Sequence, residues 1–410
     1  MSSPSASSSS SFPSSPSLLH LAVALDGTGW HPASWREPVA RPRELFTAGY
    51  WAGLVAEAER GLLDFVTFED GLAPQSSLPL TPDERTDQVR GRLDAVLTAA
   101  RIAPLTRHIG LVPTAVVTHT EPFHLSKAIA TLDHVSGGRA GLRVRISVRP
   151  DEADHFGRRS APRVDLHRDL AAQPAVTELF DEAADYVEVV RRLWDSWEDD
   201  AEIRDVATGR FVDRDKLHYV DFEGRFFRVK GPSITPRPPQ GQPLVTALAH
   251  RTVPFRLLGR QADLGYVTPH DADQARAIIA EIRAEQEAAG RAGVPLHVFG
   301  DLVVFLDETR AAAEDRRARL DDLDGAPYTS DARVFTGTPV ELADLLQELQ
   351  SAGLTGFRLR PAVAGHDLPA VSRLLVPELQ RRGAFRSAYE ADTLRGLLGL
   401  ARPANRYATA

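Results

Sequence analysis

Residues 109–148 read IGLVPTAVVTHTEPFHLSKAIATLDHVSGGRAGLRVRISV, and the way this stretch divides decides the fold. Ile109 to Val116 is an apolar run of strand length. Pro122, suited to the first position of a helix, opens a segment of helical period that runs to Val135. Gly137-Gly138 then supplies a left-handed stop, and Ala140 to Val148 reads as the next strand. Strand, helix and strand with short connections form the unit that returns the chain to a neighbouring parallel strand.

Working outward, the same rhythm recurs. Upstream lie a strand from Leu19 to Asp26, a helix from Glu44 to Arg60, a strand from Phe65 to Asp70 and a helix from Arg92 to Leu105. Downstream, a polar stretch at 149–177 reads as a loop, followed by a helix from Glu178 to Trp197. An excursion at 201–242 holds a strand pair around Tyr219 to Val229 and a Pro-rich run. Strands then return at Leu244 to Ala249, Gly265 to Thr268, Leu296 to Leu306 and Gly356 to Pro361. They alternate with helices at Val253 to Ala262, Ala272 to Ala288 and Leu368 to Arg381. Eight strands in one alternating chain predict an α/β fold, a (β/α)8 TIM barrel. It forms a single domain over 18–410, with insertions around 149–177 and 201–242.

Composition narrows the function. The chain has 410 residues, 43% of them hydrophobic, and a formal charge of -8 with pI near 5.9, which argues against a nucleic-acid partner. With no cysteine there is neither disulfide nor thiolate chemistry. No apolar run reaches the roughly 20 residues of a membrane span. Met1 to Ser17 is almost all Ser and Pro and lacks a signal peptide's basic start and apolar stretch. It predicts a disordered tail on a cytoplasmic protein that takes a small molecule.

In such a barrel the chemistry sits at the carboxyl ends of the strands. There the second strand offers Glu69 and Asp70 as acid, base or cofactor ligand, and the third leads into Thr114, Thr118, His119, Glu121 and His124. The two histidines and Glu121 do not have the spacing of a metal site, so His124 is read as a first-turn residue facing the mouth, for orientation or proton transfer. The fourth strand alternates strictly: Leu142, Val144, Ile146 and Val148 face the helices, and Arg143, Arg145 and Ser147 face the interior. The eighth repeats this with Arg358 and Arg360 inward. Buried guanidinium groups need anions, so the arginines build either an internal ion-pair network or an anionic-substrate site, with Asp26, Glu69 and Asp70 as the candidate partners. Ala249-His250-Arg251-Thr252 precedes a helix start that suits a phosphate, or Thr252 is a plain N-cap.

Several segments resemble one family. The run Pro122-Phe123-His124 through Ala130-Thr131-Leu132-Asp133-His134 to Gly141 is similar to the luciferase-like flavin monooxygenases, in the branch with nitrilotriacetate, dibenzothiophene-sulfone and pristinamycin monooxygenases. So are Leu193-Trp194-Asp195-Ser196-Trp197, Arg237-Pro238-Pro239-Gln240-Gly241, and Thr393 to Tyr407. The resemblance implies a bacterial-luciferase-like barrel. It would take reduced FMN from a separate flavin reductase, insert one oxygen atom from O2 into a small organic substrate, and form a homo-oligomer. It implies Asp70, Thr114, Arg143 and Ser147 near the flavin ring, and Ala249, His250, Arg251 and Thr252 at its phosphate. The chain departs from the family where Leu142-Arg143 replaces Trp-Asn, where Ile146-Ser147 replaces Thr-Ser, and where His250 and Arg251 replace serines. Because alternation turns both guanidinium groups into the interior, where they would occupy space that a flavin ring fills in the relatives, replacing Arg143 and Arg358 together by Asn is expected to strengthen FMN binding. Two other readings stand beside this one: a non-catalytic paralogue or subunit, and a deazaflavin enzyme that transfers hydride.

Overall fold

The computed structural model describes residues 18–165, 167–168 and 173–408, so the expected tail at 1–17 lies outside the described residues. The elements that build the barrel follow in chain order: β1 (His20–Leu25), α1 (Ala48–Arg60), β2 (Phe65–Phe68), α2 (Ala95–Ile102), β3 (Gly110–Val116), α3 (Pro122–Ser136), β4 (Gly141–Arg145) and α4 (Pro174–Asp195). After the 201–242 excursion come β5 (Leu244–Leu248), α5 (Thr252–Gln261), β6 (Leu264–Val267), α6 (Ala272–Ala288), β7 (His297–Leu306), α7 (Arg310–Asp324), α8 (Pro339–Ser351) and β8 (Gly356–Pro361).

Every barrel pairing is parallel, and the ring closes. β1 pairs with β2 on one side and β8 on the other, and the circuit continues through β3, β4, β5, β6 and β7 back to β8. Closure explains the near-continuous apolar runs, since strands covered by helices outside and packed inside are buried on both faces. Gly137 ends α3 at φ 68, the left-handed position its sequence promised.

Three differences from the sequence reading bear on the site. β4 stops at Arg145, because the N–H of Ser147 leaves the ladder for the Thr118 hydroxyl at 2.9 Å. β7 carries a ninth parallel strand, Arg333–Gly337, between α7 and α8, none of which the sequence reading placed. The excursion holds two antiparallel pairs: Phe222–Glu223 with Arg228–Val229, inside the expected region, and Glu202–Asp205 with Arg210–Val212 before it.

The barrel interior is layered. At the amino ends of the strands Leu394, Leu398 and Leu400 pack against Phe65, Leu244, Leu264 and Phe299, so the C-terminal segment plugs that end. Above the plug lies a charged layer, and above that an open mouth. Among the described residues no helix is long and apolar enough to cross a membrane.

Candidate active site

The charged layer grows from strand alternation. Arg143, Arg358 and Arg360 point inward and are buried, as their phase requires. Asp301, on the inward face of β7, lies between the last two: Arg358 donates to it from Nε at 2.9 Å and Nη2 at 2.5 Å, and Arg360 from Nη2 at 2.5 Å. Arg360 also reaches Asp331 at 2.6 Å. Arg143 donates to Glu69 at 2.7 Å and to the Thr114 hydroxyl at 3.0 Å, and Glu69 accepts from Arg358 at 3.3 Å. Three cations thus meet three carboxylates. Burial pushes Asp301 and Glu69 upward in pKa, but the guanidinium groups outweigh it and hold both below the ordinary carboxylate value. Arg358 also lies over the Tyr266 ring at 4.1 Å, and Arg360 over Trp30 at 4.5 Å.

Glu69 is therefore a partner of the interior arginines, but Asp26 and Asp70 are not. Asp26 forms a two-point pair with Arg92 at 2.6 and 3.1 Å. The Asp70 carboxylate accepts the N–H groups of Gly71 at 2.7 Å and Ala95 at 2.9 Å, which ties the loop after β2 to the start of α2; burial raises its pKa. The partners that sequence reasoning missed, Asp301 and Asp331, left one signal: an acid inside the apolar run His297–Leu306.

On this layer rests a mouth cavity of about 310 Å³ at the carboxyl ends of the strands. Glu69, Arg143 and Arg360 line its floor, Trp30 and Leu248 its apolar side, and Arg92, Arg145, Arg149 and Glu152 its rim. A second cavity of about 140 Å³ adjoins it and shares Asp26, Trp30, Gln75 and Ser76.

The structure gathers only some of the expected site residues here. Arg143 is on the wall, with Thr114 held behind it. Ser147 is buried, and its hydroxyl accepts the Arg149 N–H at 3.2 Å. Ala249 is buried, with its N–H on the Tyr266 carbonyl at 2.9 Å. His250 stands beside the mouth, 3.0 Å from the Thr268 hydroxyl and 3.4 Å from Asp331, and Arg251 is the extended N-cap of α5. Thr252 is the first helical residue and not the cap; its hydroxyl donates to Glu281 on α6 at 2.5 Å, which turns it away from the barrel. His124 does not face the mouth: it is exposed on the first turn of α3 and lines neither mouth cavity. Thr118, His119 and Glu121 line a separate cavity of about 350 Å³ beside α4, where His119 stacks on Phe156 and burial, with Arg159 nearby, lowers its pKa. Among the described residues no group of three His, Cys, Asp or Glu side chains could hold a metal ion.

Comparison with known proteins agrees with this architecture. The luciferase-like monooxygenase family model matches residues 28–334. The chain is 29% identical to nitrilotriacetate monooxygenase component A of Aminobacter aminovorans over 95% of its own length and 98% of that protein. It is 27% identical to dibenzothiophene-sulfone monooxygenase of Rhodococcus erythropolis over 90% and 93% of the two chains. Among solved structures, a riboflavin lyase crystallised with modified FMN and riboflavin superposes with a TM-score of 0.82 at 25% identity, covering 95% of this chain and 97% of that one. With a closed parallel barrel and a family match over most of its length, this chain belongs to the luciferase-like monooxygenases.

Proposed function

We propose that the mouth holds FMN and that the chain is the oxygenating component of a two-component monooxygenase. It would take reduced FMN from a separate flavin reductase and insert one atom of O2 into a small organic substrate. The relative named "component A" and the FMN-containing neighbour support this reading. The observation that carries it on this chain is an orphaned donor: Arg143 lines the cavity, is buried, and its Nε–H has no acceptor among the described residues. A flavin ring, with carbonyl and nitrogen acceptors along one edge, fits such a donor set.

Arg143 would hold the polar edge of the ring, Trp30 and Leu248 would meet its apolar faces, and His250, Arg251 and the first-turn N–H groups of α5 would take the phosphate. Reduced FMN supplies the electrons that activate oxygen. The protein's part is positioning and dryness. The neutral ion-pair floor keeps the arginines fixed in their rotamers, and the apolar plug below it denies water a path from the other end. No feature of the mouth among the described residues favours a non-catalytic paralogue.

Anaerobic titration with photoreduced FMN tests the proposal. Saturable binding in the micromolar range, with reoxidation by air slowed relative to free FMN, is the expected result. Affinity no tighter than millimolar for both oxidised and reduced FMN would overturn it.

A further inference from the structure

The cavity beside α4 shares no lining residue with the mouth or with the smaller cavity adjoining it. Four separate pieces of chain enclose its volume of about 350 Å³: the loop after β3, the stretch following the short helix Pro150–Asp154, α4, and the turn between Phe222–Glu223 and Arg228–Val229. Each piece brings an aromatic ring. His119 and Phe156 stack with their centroids 5.3 Å apart and their planes 9° from parallel, and Tyr186 meets Phe227 edge to face at 6.3 Å, with Phe226 on the same lining.

The charges here are matched. Arg159 donates to the two oxygens of Glu182 at 2.6 and 2.9 Å, and Arg158 pairs with Glu121. The hydroxyls are engaged as well: Thr120 bonds the Val116 carbonyl and the Tyr186 hydroxyl, both at 3.1 Å, and Thr118 accepts the Ser147 N–H at 2.9 Å. His119 is different. It is only 8% exposed, and among the described residues neither of its ring nitrogens has a hydrogen-bond partner; neither is sealed off, so both open on the cavity it lines. Burial and the nearby Arg159 hold the imidazole below its ordinary pKa, so at neutral pH it is uncharged, with one N–H to give and one lone pair to receive.

Rings on every side, matched charges and one uncommitted neutral polar group restrict what the space can hold. A charged ligand would be stripped of water and find no counter-ion. An aliphatic one would forgo ring-on-ring contact. A phenolic hydroxyl both gives and accepts, so it meets a nitrogen of His119 in either tautomer. We propose that this cavity is a second binding site, distinct from the mouth, for a flat, uncharged aromatic molecule with a phenolic hydroxyl, which lies among Phe156, Phe226 and Phe227 and bonds a ring nitrogen of His119. The site stands independently of the function proposed above, because none of its residues reaches the mouth.

Calorimetric titration of the full chain with 2-naphthol and 2-naphthoate tests the assignment, since the two probes share a fused ring and differ in charge. At neutral pH 2-naphthol is expected to bind about tenfold tighter. His119→Phe keeps a ring on Phe156 and removes both nitrogens, and is expected to weaken 2-naphthol about tenfold. Should that variant fail to fold, Phe226→Ala, on the turn outside the barrel, takes away one wall and is expected to cost about tenfold with an unchanged circular dichroism spectrum. Excess FMN should leave the affinity for 2-naphthol unchanged. Equal affinity for the two probes, no binding of 2-naphthol by the folded chain, binding indifferent to His119→Phe or, in its absence, to Phe226→Ala, or displacement of 2-naphthol by FMN each overturn the proposal. A chain that binds reduced FMN and no 2-naphthol loses this site and keeps the function; one that binds 2-naphthol through His119 and no flavin does the opposite.

Discussion

Asp301 is shared by two guanidinium groups that are, like itself, shut away from water. Asp301→Asn keeps the shape and removes the charge, so it should cost about 3–5 kcal/mol of stability, read from the urea midpoint at constant slope. Because the folded-state pKa of Asp301 and Glu69 is lowered, their contribution is present above the ordinary carboxylate range and is lost as the pH falls through the folded value. Stability should therefore drop on acidification below about pH 4, and Asp301→Asn should flatten that drop. Arg143 and Arg358 are not equivalent. Arg358 is buried below the cavity wall, and Arg143 lines it with a free donor. Replacing Arg143 leaves Glu69 exposed to the mouth as a negative charge, so Arg143→Asn is expected to weaken binding of reduced FMN about tenfold in the anaerobic titration. The gain in affinity anticipated from the sequence concerned a different variant, the double replacement of Arg143 and Arg358 by Asn. Which arginines face inward was legible, since a two-residue period is a local property. Their partners were not, because Asp301 meets Arg358 only through the register of two strands far apart in the chain.

Among the elements, legibility followed the density of apolar residues. Helix α6 was read with its observed ends and β8 likewise. Helix α7, by contrast, buries only Ala313, Arg316 and Leu320, and a helix so charged shows almost no apolar period. Helix α8 did leave a signal. Thr338-Pro339-Val340-Glu341 is a capping box, with the Glu341 backbone N–H on the Thr338 hydroxyl at 3.3 Å and the Thr338 N–H on the Glu341 carboxylate at 2.9 Å. Thr338→Ala should cost about 1 kcal/mol, measured by chemical denaturation. The early end of β4 was not legible, because a hydroxyl supplied by Thr118 replaces the ladder there, and a side-chain substitute for a backbone partner leaves no periodic trace.

For the whole molecule, the count of βα units was enough to name a closed barrel, but nothing local showed that the last residues seal it. Leu394, Leu398 and Leu400 lie almost wholly buried among the first residues of the strands. Ending the chain at residue 392 would expose that surface. Each buried leucine contributes about 1.5–3 kcal/mol, so the truncated chain should melt far below the intact one or aggregate on expression, as followed by calorimetry and sedimentation. The plug also governs traffic. A barrel stoppered at one end has a single doorway, through which whatever enters must also leave. An occupant lodged deepest would be trapped behind one nearer the rim, so release has to run in the reverse of the order of entry.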